Sequence, residues 1–266
     1  MSTTKIDKVS ILQGAPISFG SITIYQPTLK DINKISYDQF ARITNLLTIS
    51  ESDLLLMYHQ EHIEEGETNP ILWLYENCLK NPTFFLELQI GFLTYIKEEV
   101  FLDTENKGFK FLVDGEKVLP GGKIVKAQEF FFLNKTNFSE FQSIIRLLNM
   151  SEEEEDDEII TDDLEMKKKF EEARKKLKLA KAKARAEQAA KHRGKEITLP
   201  DIVSSLCAYG VGYTLFNVWD LTIYQLYDQF KRLQLKEDYE TGTQMLLAGV
   251  DSKKVDLQYW IKKITL

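Results

Sequence analysis

Three groups of residues have types and spacings that chemistry could use. His59 and His62, three apart beside Glu61, Glu64 and Glu65, would share one face of a helix and could ligate zinc. A catalytic zinc site needs a third ligand and an ordered outer shell, and the zinc-protease pattern His-Glu-x-x-His does not occur. Exposed polar residues at a helix end are therefore the stronger reading. Gly210-x-Gly212 lacks the third glycine of a dinucleotide loop and follows a helical pattern rather than a strand, so a helix joint or close helix packing is expected there. The acidic run 152–158 has neither the alternating ligands nor the turn glycine of a calcium loop. A solvated run of carboxylates also cannot raise one pKa by burial, as acid–base catalysis requires. Walker loops, nucleophile elbows and zinc-knuckle spacings do not occur either. The chain reads as non-enzymatic, with no catalytic residue, no cofactor and no metal.

The charge is organised rather than spread. The 266 residues hold 34 Lys+Arg and 41 Asp+Glu, a formal net charge of -7. Ten of those acids lie in 151–165, which has no base, whereas 166–196 holds thirteen bases and four acids. The first stretch has too few apolar groups to fold and too many like charges to collapse, so it reads as a solvated linker. From Leu164 to about His192 the residues are strong helix formers with a thin apolar stripe, which favours an exposed helix that Gly194 stops. The basic stretch 167–195 could neutralise nucleic-acid phosphates, but aromatic and amide side chains for base reading are not interleaved in it. The adjoining acids compete for the same lysines at roughly millimolar effective concentration. Folding back on the acidic run, or docking on a protein, is favoured, and a nucleic-acid-binding module is the weaker alternative. Elsewhere, 43% hydrophobic content with 16 Phe, 11 Tyr and 3 Trp suffices for a core. Cys78 and Cys207, far apart in apolar surroundings, suit reduced thiols. Apolar runs are too short for a membrane span and the first residues lack a signal-peptide core, so the expected site of action is the cytoplasm.

The elements that would position any site are mainly α with small β-hairpin elements, an α+β chain. Three parts are expected: a helical domain with small β elements over 1–150, the acidic linker and basic helix over 151–196, and a C-terminal helical region over 197–266. In the first, Val9–Leu12 and Ile22–Tyr25 read as a strand pair. Thr28 should cap a helix on the amide of Asp31, Ser50 or Ser52 a second, and Asn69-Pro70 and Asn81-Pro82 two more, the last running to about Phe101. That last run is apolar over most of its circumference and is expected at the centre of the core. Phe109–Val113 and Glu116–Leu119 flank Asp114-Gly115, a type I′ hairpin signal, and Lys123–Val125 could add a third strand. Phe138–Leu148 should form a helix with Asn137 and Glu140 as a capping box and Phe141, Ile144, Ile145 and Leu148 as its buried stripe. In the C-terminal region, helices are expected from Thr198, from Leu221 to Leu235 with a cap near Asp220, and over Tyr239–Leu247.

Two strings go further than pattern. Leu215-Phe216-Asn217-Val218-Trp219-Asp220-Leu221-Thr222-Ile223-Tyr224-Gln225-Leu226-Tyr227-Asp228-Gln229-Phe230-Lys231-Arg232-Leu233, with Met245–Gly249 and Trp260-Ile261-Lys262 after it, is similar to proteins from the tail gene clusters of phages of Gram-positive bacteria. So is Ile22-Thr23-Ile24-Tyr25-Gln26-Pro27-Thr28-Leu29-Lys30-Asp31-Ile32. Together they resemble a tail assembly chaperone of a long-tailed phage. The resemblance implies a mostly helical, non-enzymatic protein of the infected host's cytoplasm that binds the tape measure protein, with tail-tube subunits as further partners. A structural virion or tail component that stays in the particle is the alternative. Aromatic side chains give large contact area at low entropic cost, so Trp219, Tyr224, Tyr227, Phe230 and Trp260 are the candidate partner-binding residues, although any one of them more often simply fills a core.

Overall fold

The computed structural model describes residues 6–58, 69–118, 124–150, 197–209 and 212–252, with isolated positions within 173–180 and 255–261. The histidines of the zinc-like cluster, the third histidine, the acidic linker and nearly all of the basic stretch lie outside the described residues. Among the described residues the chain is mainly α, with nine α-helices, one 3-10 turn and two small antiparallel sheets. No described helix is long and apolar enough to cross a membrane.

The first helix, α1 (Lys8–Leu12), stands where a strand was expected. Asp7 accepts hydrogen bonds from the amides of Val9 and Ser10, and this local cap, with Ile11 turned into the core, outweighs the β preference of Val9 and Ile11. The strand pair is instead β1 (Ile17–Phe19) with β2 (Ile22–Ile24), Ile17 opposite Ile24. Helix α2 (Leu29–Ile35) begins as its sequence predicts. Thr28 accepts from the Asp31 amide, and the Asp31 carboxylate accepts from Thr28 in return. Then come α3 (Tyr37–Leu47), α4 (Glu51–Tyr58), α5 (Pro70–Lys80) and α6 (Pro82–Tyr95). Ser50 caps α4, Asn69 caps α5 and Asn81 caps α6, each proline sitting in the first turn where its missing N–H is no loss.

Helix α6 ends six residues sooner than its apolar run suggests. Ile96 is already extended, the Tyr95 carbonyl accepts from the Tyr25 amide, and Val100–Asp103 forms strand β3. The Asp114-Gly115 signal also does not make a turn. Strand β4 (Gly108–Val118) runs straight through it and pairs over its length with β5 (Ile124–Leu133), Asp114 facing Gln128 and Gly115 facing Ala127. One long ladder satisfies more backbone groups than two short strands, and β3 pairing with Gly108–Phe111 holds β4 extended. The sheet order is β3-β4-β5.

Helix α7 (Phe138–Leu148) buries the stripe expected of it, with Phe138 and Gln142 in addition. Its capping box is absent. The Asn137 side chain accepts from the Asn134 amide and donates to the Phe132 carbonyl, tying the helix start to the end of β5 instead. Gln142 donates to the carbonyls of Leu47 and Ile49 at 3.0 and 2.9 Å, and Arg146 to that of Thr48 at 2.7 Å, so α7 satisfies acceptors that the end of α3 leaves open.

In the C-terminal region α8 (Leu199–Ala208) starts at Thr198 with a Thr198–Asp201 capping box. The Val218–Asp220 3-10 turn leads into α9 (Ile223–Leu247), one helix where two were expected. Its cap is Thr222 rather than Asp220, and Lys236 with Glu240, four apart at 3.7 Å, supports the stretch where a break was read.

One hydrophobic core runs from Ile11 to Leu233 and draws on both parts of the chain. Phe92 of α6 sits at its centre, 5.1 Å from Phe109, 5.2 Å from Phe111 and 6.1 Å from Phe141 between ring centroids. Tyr95 is fully enclosed, its hydroxyl 3.0 Å from Thr44 and accepting from Asn149 at 2.9 Å. Burial pushes the Tyr95 phenol from 10.0 up to about 12 and the buried Cys78 thiol from 9.0 up to about 12. Both groups stay neutral in the fold while an unfolded chain would ionise. Their stabilisation is therefore complete below about pH 9 and is lost as the pH rises towards about 12. Melting temperature should fall steeply above about pH 9, and Cys78→Ala should lose less than wild type between about pH 9 and 11. Parallel pH curves for the two proteins would show that the thiol is not the cause.

Candidate partner-binding surface

The segment leading into α9 presents Phe216, 94% exposed, and Trp219 to solvent. Gly212, with φ +89° and open space around it, turns the chain after α8, so a turn rather than close helix packing explains this glycine. Asn217 then closes the loop. Its Oδ1 accepts from the Thr214 amide at 2.7 Å, and its Nδ2 donates to the Gly212 carbonyl at 3.1 Å. The Trp219 indole donates to the Leu215 carbonyl at 2.8 Å, and Val218 is fully buried beneath. Leu215 and Phe216 are left on the outside, Phe216 94% exposed.

This loop is anchored to the first part of the chain. The Leu29 amide donates to the Leu221 carbonyl at 2.9 Å, Thr28 and Thr222 form an antiparallel bridge, and Lys30 meets Asp220 at 3.4 Å. Gln225 completes the Thr222 capping box and donates to the Leu12 carbonyl at 2.7 Å. An exposed phenylalanine on a loop closed by Asn217 and anchored where it enters α9 loses little freedom on binding, which is what a preformed contact needs.

The five aromatic residues expected to meet a partner are distributed differently from one another. Trp219, 38% exposed, stands in the loop. Tyr224, 5% exposed, fills the core, where burial and the nearby Asp228 carboxylate raise its phenol pKa. Tyr227 is half-buried and hydrogen-bonded to Tyr37, its phenol pushed well up by burial. Phe230 packs half-buried against the same core. Trp260 lies elsewhere. Beyond Leu233, α9 leaves the core, and the chain's last described residues fold back on it, with Tyr259 edge-on to Tyr239 at 5.5 Å and Trp260 against Tyr259. Roughly 25 Å of helix, at 1.5 Å per residue, separates Tyr239 from the loop. Trp219 and Trp260 thus belong to two surfaces. Leu215 and Phe216 had a readable signal, since apolar residues between Thr214 and Asn217, both turn formers, stand out.

Residues 189–265 match the family model described as YomV second domain. It is a phage-derived family, and the match suggests a phage protein. No curated protein and no solved structure matches the chain. The matched stretch takes in α8, the loop, α9 and the folded-back tail, so the exposed aromatic surfaces described above all fall within it. Among the described residues, no three His, Cys, Asp or Glu side chains are grouped so as to hold a metal ion. The electrostatics here are local. Glu237 accepts from the Tyr209 hydroxyl and raises that phenol's pKa, linking the end of α8 to α9.

The tail depends on one small residue. A Cβ on Gly242 would stand 3.0 Å from the Leu257 side chain and 3.3 Å from that of Val255. Gly242→Val should therefore unseat the tail, shifting tryptophan fluorescence to the red and speeding proteolysis after about residue 250, while the main melting transition moves by no more than about 1 kcal/mol. An unchanged proteolytic pattern would show that the tail does not rely on this approach.

Proposed function

We propose that this protein is a non-enzymatic tail assembly chaperone of a long-tailed phage, acting in the cytoplasm of the infected host. Its main partner is the tape measure protein, with tail-tube subunits as further partners. The observation that carries the reading is Phe216, almost wholly exposed on a stapled loop inside the segment that matches a phage-derived family. A chaperone for a long helical client has to offer apolar area on a rigid mount, in a small patch that leaves the free protein soluble. Leu215, Phe216 and Trp219 meet that description, and Trp260 with Tyr259 offers a second contact further along α9.

Co-expression provides the test. With this chain present, the tape measure protein should become soluble and co-purify with it. Phe216→Ser, at a site with no packing to lose, should leave the unfolding free energy within about 0.5 kcal/mol of wild type and weaken co-purification about tenfold. Undiminished recovery of the client by the variant would remove the loop from the interface. Failure of the wild-type chain to solubilise the client, or abundant peptides of this chain in purified particles, would replace the transient chaperone with a different role.

A further inference from the structure

Helix α6 has a second face that its apolar sequence makes and the fold does not cover. Leu88, Phe92 and Tyr95 point into the core, while Leu86 and Leu93 are 59% and 53% exposed, with Ile90 half-buried between them. Leu86, Ile90 and Leu93 follow i, i+4, i+7 spacing, one continuous stripe along the outside of the helix. The polar groups beside the stripe are already engaged: Glu87 with Arg42, Gln89 with the Val100 carbonyl, Thr94 with the Ile90 carbonyl. The stripe therefore presents hydrocarbon flanked by side chains that already have partners at Arg42, Val100 and Ile90.

At its C-terminal end the stripe opens into a groove of about 480 Å³ between α6 and α2, lined by Tyr25, Ile35, Ile90, Leu93 and two lysines. Lys97 holds its ammonium 3.9 Å from the centre of the Tyr25 ring, and Lys34 reaches in from α2, 2.8 Å from Asp31. Two ammonium groups against one carboxylate leave the groove a net positive end to an apolar track.

We propose that this face binds an amphipathic helix of another protein whose apolar repeat lies along Leu86, Ile90 and Leu93 and whose carboxylates enter the groove at Lys34 and Lys97. A helix fits because its own side-chain ridges repeat at the spacing of the stripe. An acidic end fits because, among the residues that line the groove, two ammonium groups stand against one carboxylate. A second copy of α6 fits less well. Paired antiparallel, it would set Lys97 near the start of the opposite helix, where Glu87 is held by Arg42 and the neighbours are Asn81, Pro82 and Thr83. This surface belongs to the first part of the chain and is independent of the Phe216 loop and of the chaperone reading.

The test uses the full chain and two synthetic peptides of about five helical turns. Both carry leucines at i, i+4, i+7 spacing; one has glutamates in its terminal turn and the other lysines. Fluorescence anisotropy should show binding of the glutamate peptide, weakened by salt, and at least about tenfold weaker binding of the lysine peptide. Leu86→Asp with Leu93→Asp should abolish binding, and Lys34→Glu with Lys97→Glu should reverse the preference, each variant melting like wild type because the positions are exposed. Equal affinity for both peptides, binding that survives the leucine substitutions, or no binding of the glutamate peptide would overturn the proposal. So would wild-type dimers in sedimentation that the leucine substitutions dissolve, since the occupant would then be a second copy.

Discussion

The fold turns on a clasp between two helix starts. Thr28 and Thr222 cap α2 and α9, and they face each other across a single antiparallel bridge, with the Leu29 amide bonded to the Leu221 carbonyl. Every helix leaves its first amides unpaired, and capping answers that locally. Here the two local answers are placed side by side, so a residue near the beginning of the chain and one near its end share a backbone contact. Lys30 with Asp220 and Gln225 with the Leu12 carbonyl extend the same junction. Remove it and α9, the Phe216 loop and the α2 wall of the lysine groove lose their common reference.

Two strings far apart in the sequence meet at this clasp, Gln26-Pro27-Thr28-Leu29 and Leu221-Thr222-Ile223-Tyr224. That pairing was not legible in the sequence, because nothing in a cap motif names its neighbour in space. The caps themselves were legible: Thr28, Ser50, Asn69, Asn81 and Thr198 each start a helix where side-chain chemistry says one should start. What failed was the weighing of equally local signals against each other. Val9–Leu12 has strand composition but Asp7 ahead of it, and a cap within three residues wins over propensity. Asp114-Gly115 has turn composition, yet its pairing with Gln128 and Ala127 of β5, in a strand that β3 already holds extended at Gly108–Phe111, is a long-range gain that no short window contains. At Asn137 the expected partner, Glu140, lost to backbone groups at the end of β5, which only tertiary structure brings near.

The candidate surface was half legible for a related reason. Aromatic periodicity located α9 but could not say which of its rings face inward. Tyr224 and Trp219 look alike in sequence, and their exposures differ because Tyr224 falls on the stripe shared with Ile223 and Leu226, while Trp219 precedes the helix and follows a turn geometry of its own. Phe216 lies in a loop, where no period sorts inward from outward residues and the apolar pair between Thr214 and Asn217 is the one local signal. Its exposure follows from Asn217, whose side chain closes the turn and leaves the preceding residue pointing away from Val218.

The segment that matches the phage-derived family does not complete its own core. Ile202, Leu206, Ile223, Leu226 and Leu233 are buried in the same cluster as Ile11, Leu29, Ile32 and Phe92, and the distal half of α9 lies outside it, supported by the Lys236–Glu240 pair and the folded-back tail. Apolar stripes of this size need cover, and the first part of the chain provides it through α1, α2 and the clasp. The same physics explains why α6 is unusual. A helix apolar around most of its circumference has to bury one face on each side, and here the core side is satisfied by Phe109, Phe111 and Phe141 while on the outer side Leu86 and Leu93 stay more than half exposed. A core can use no more of α6 than the half that faces it, and Leu86 and Leu93 on the other half keep more than half of their surface in solvent. The helix partner proposed for this face is what would cover them.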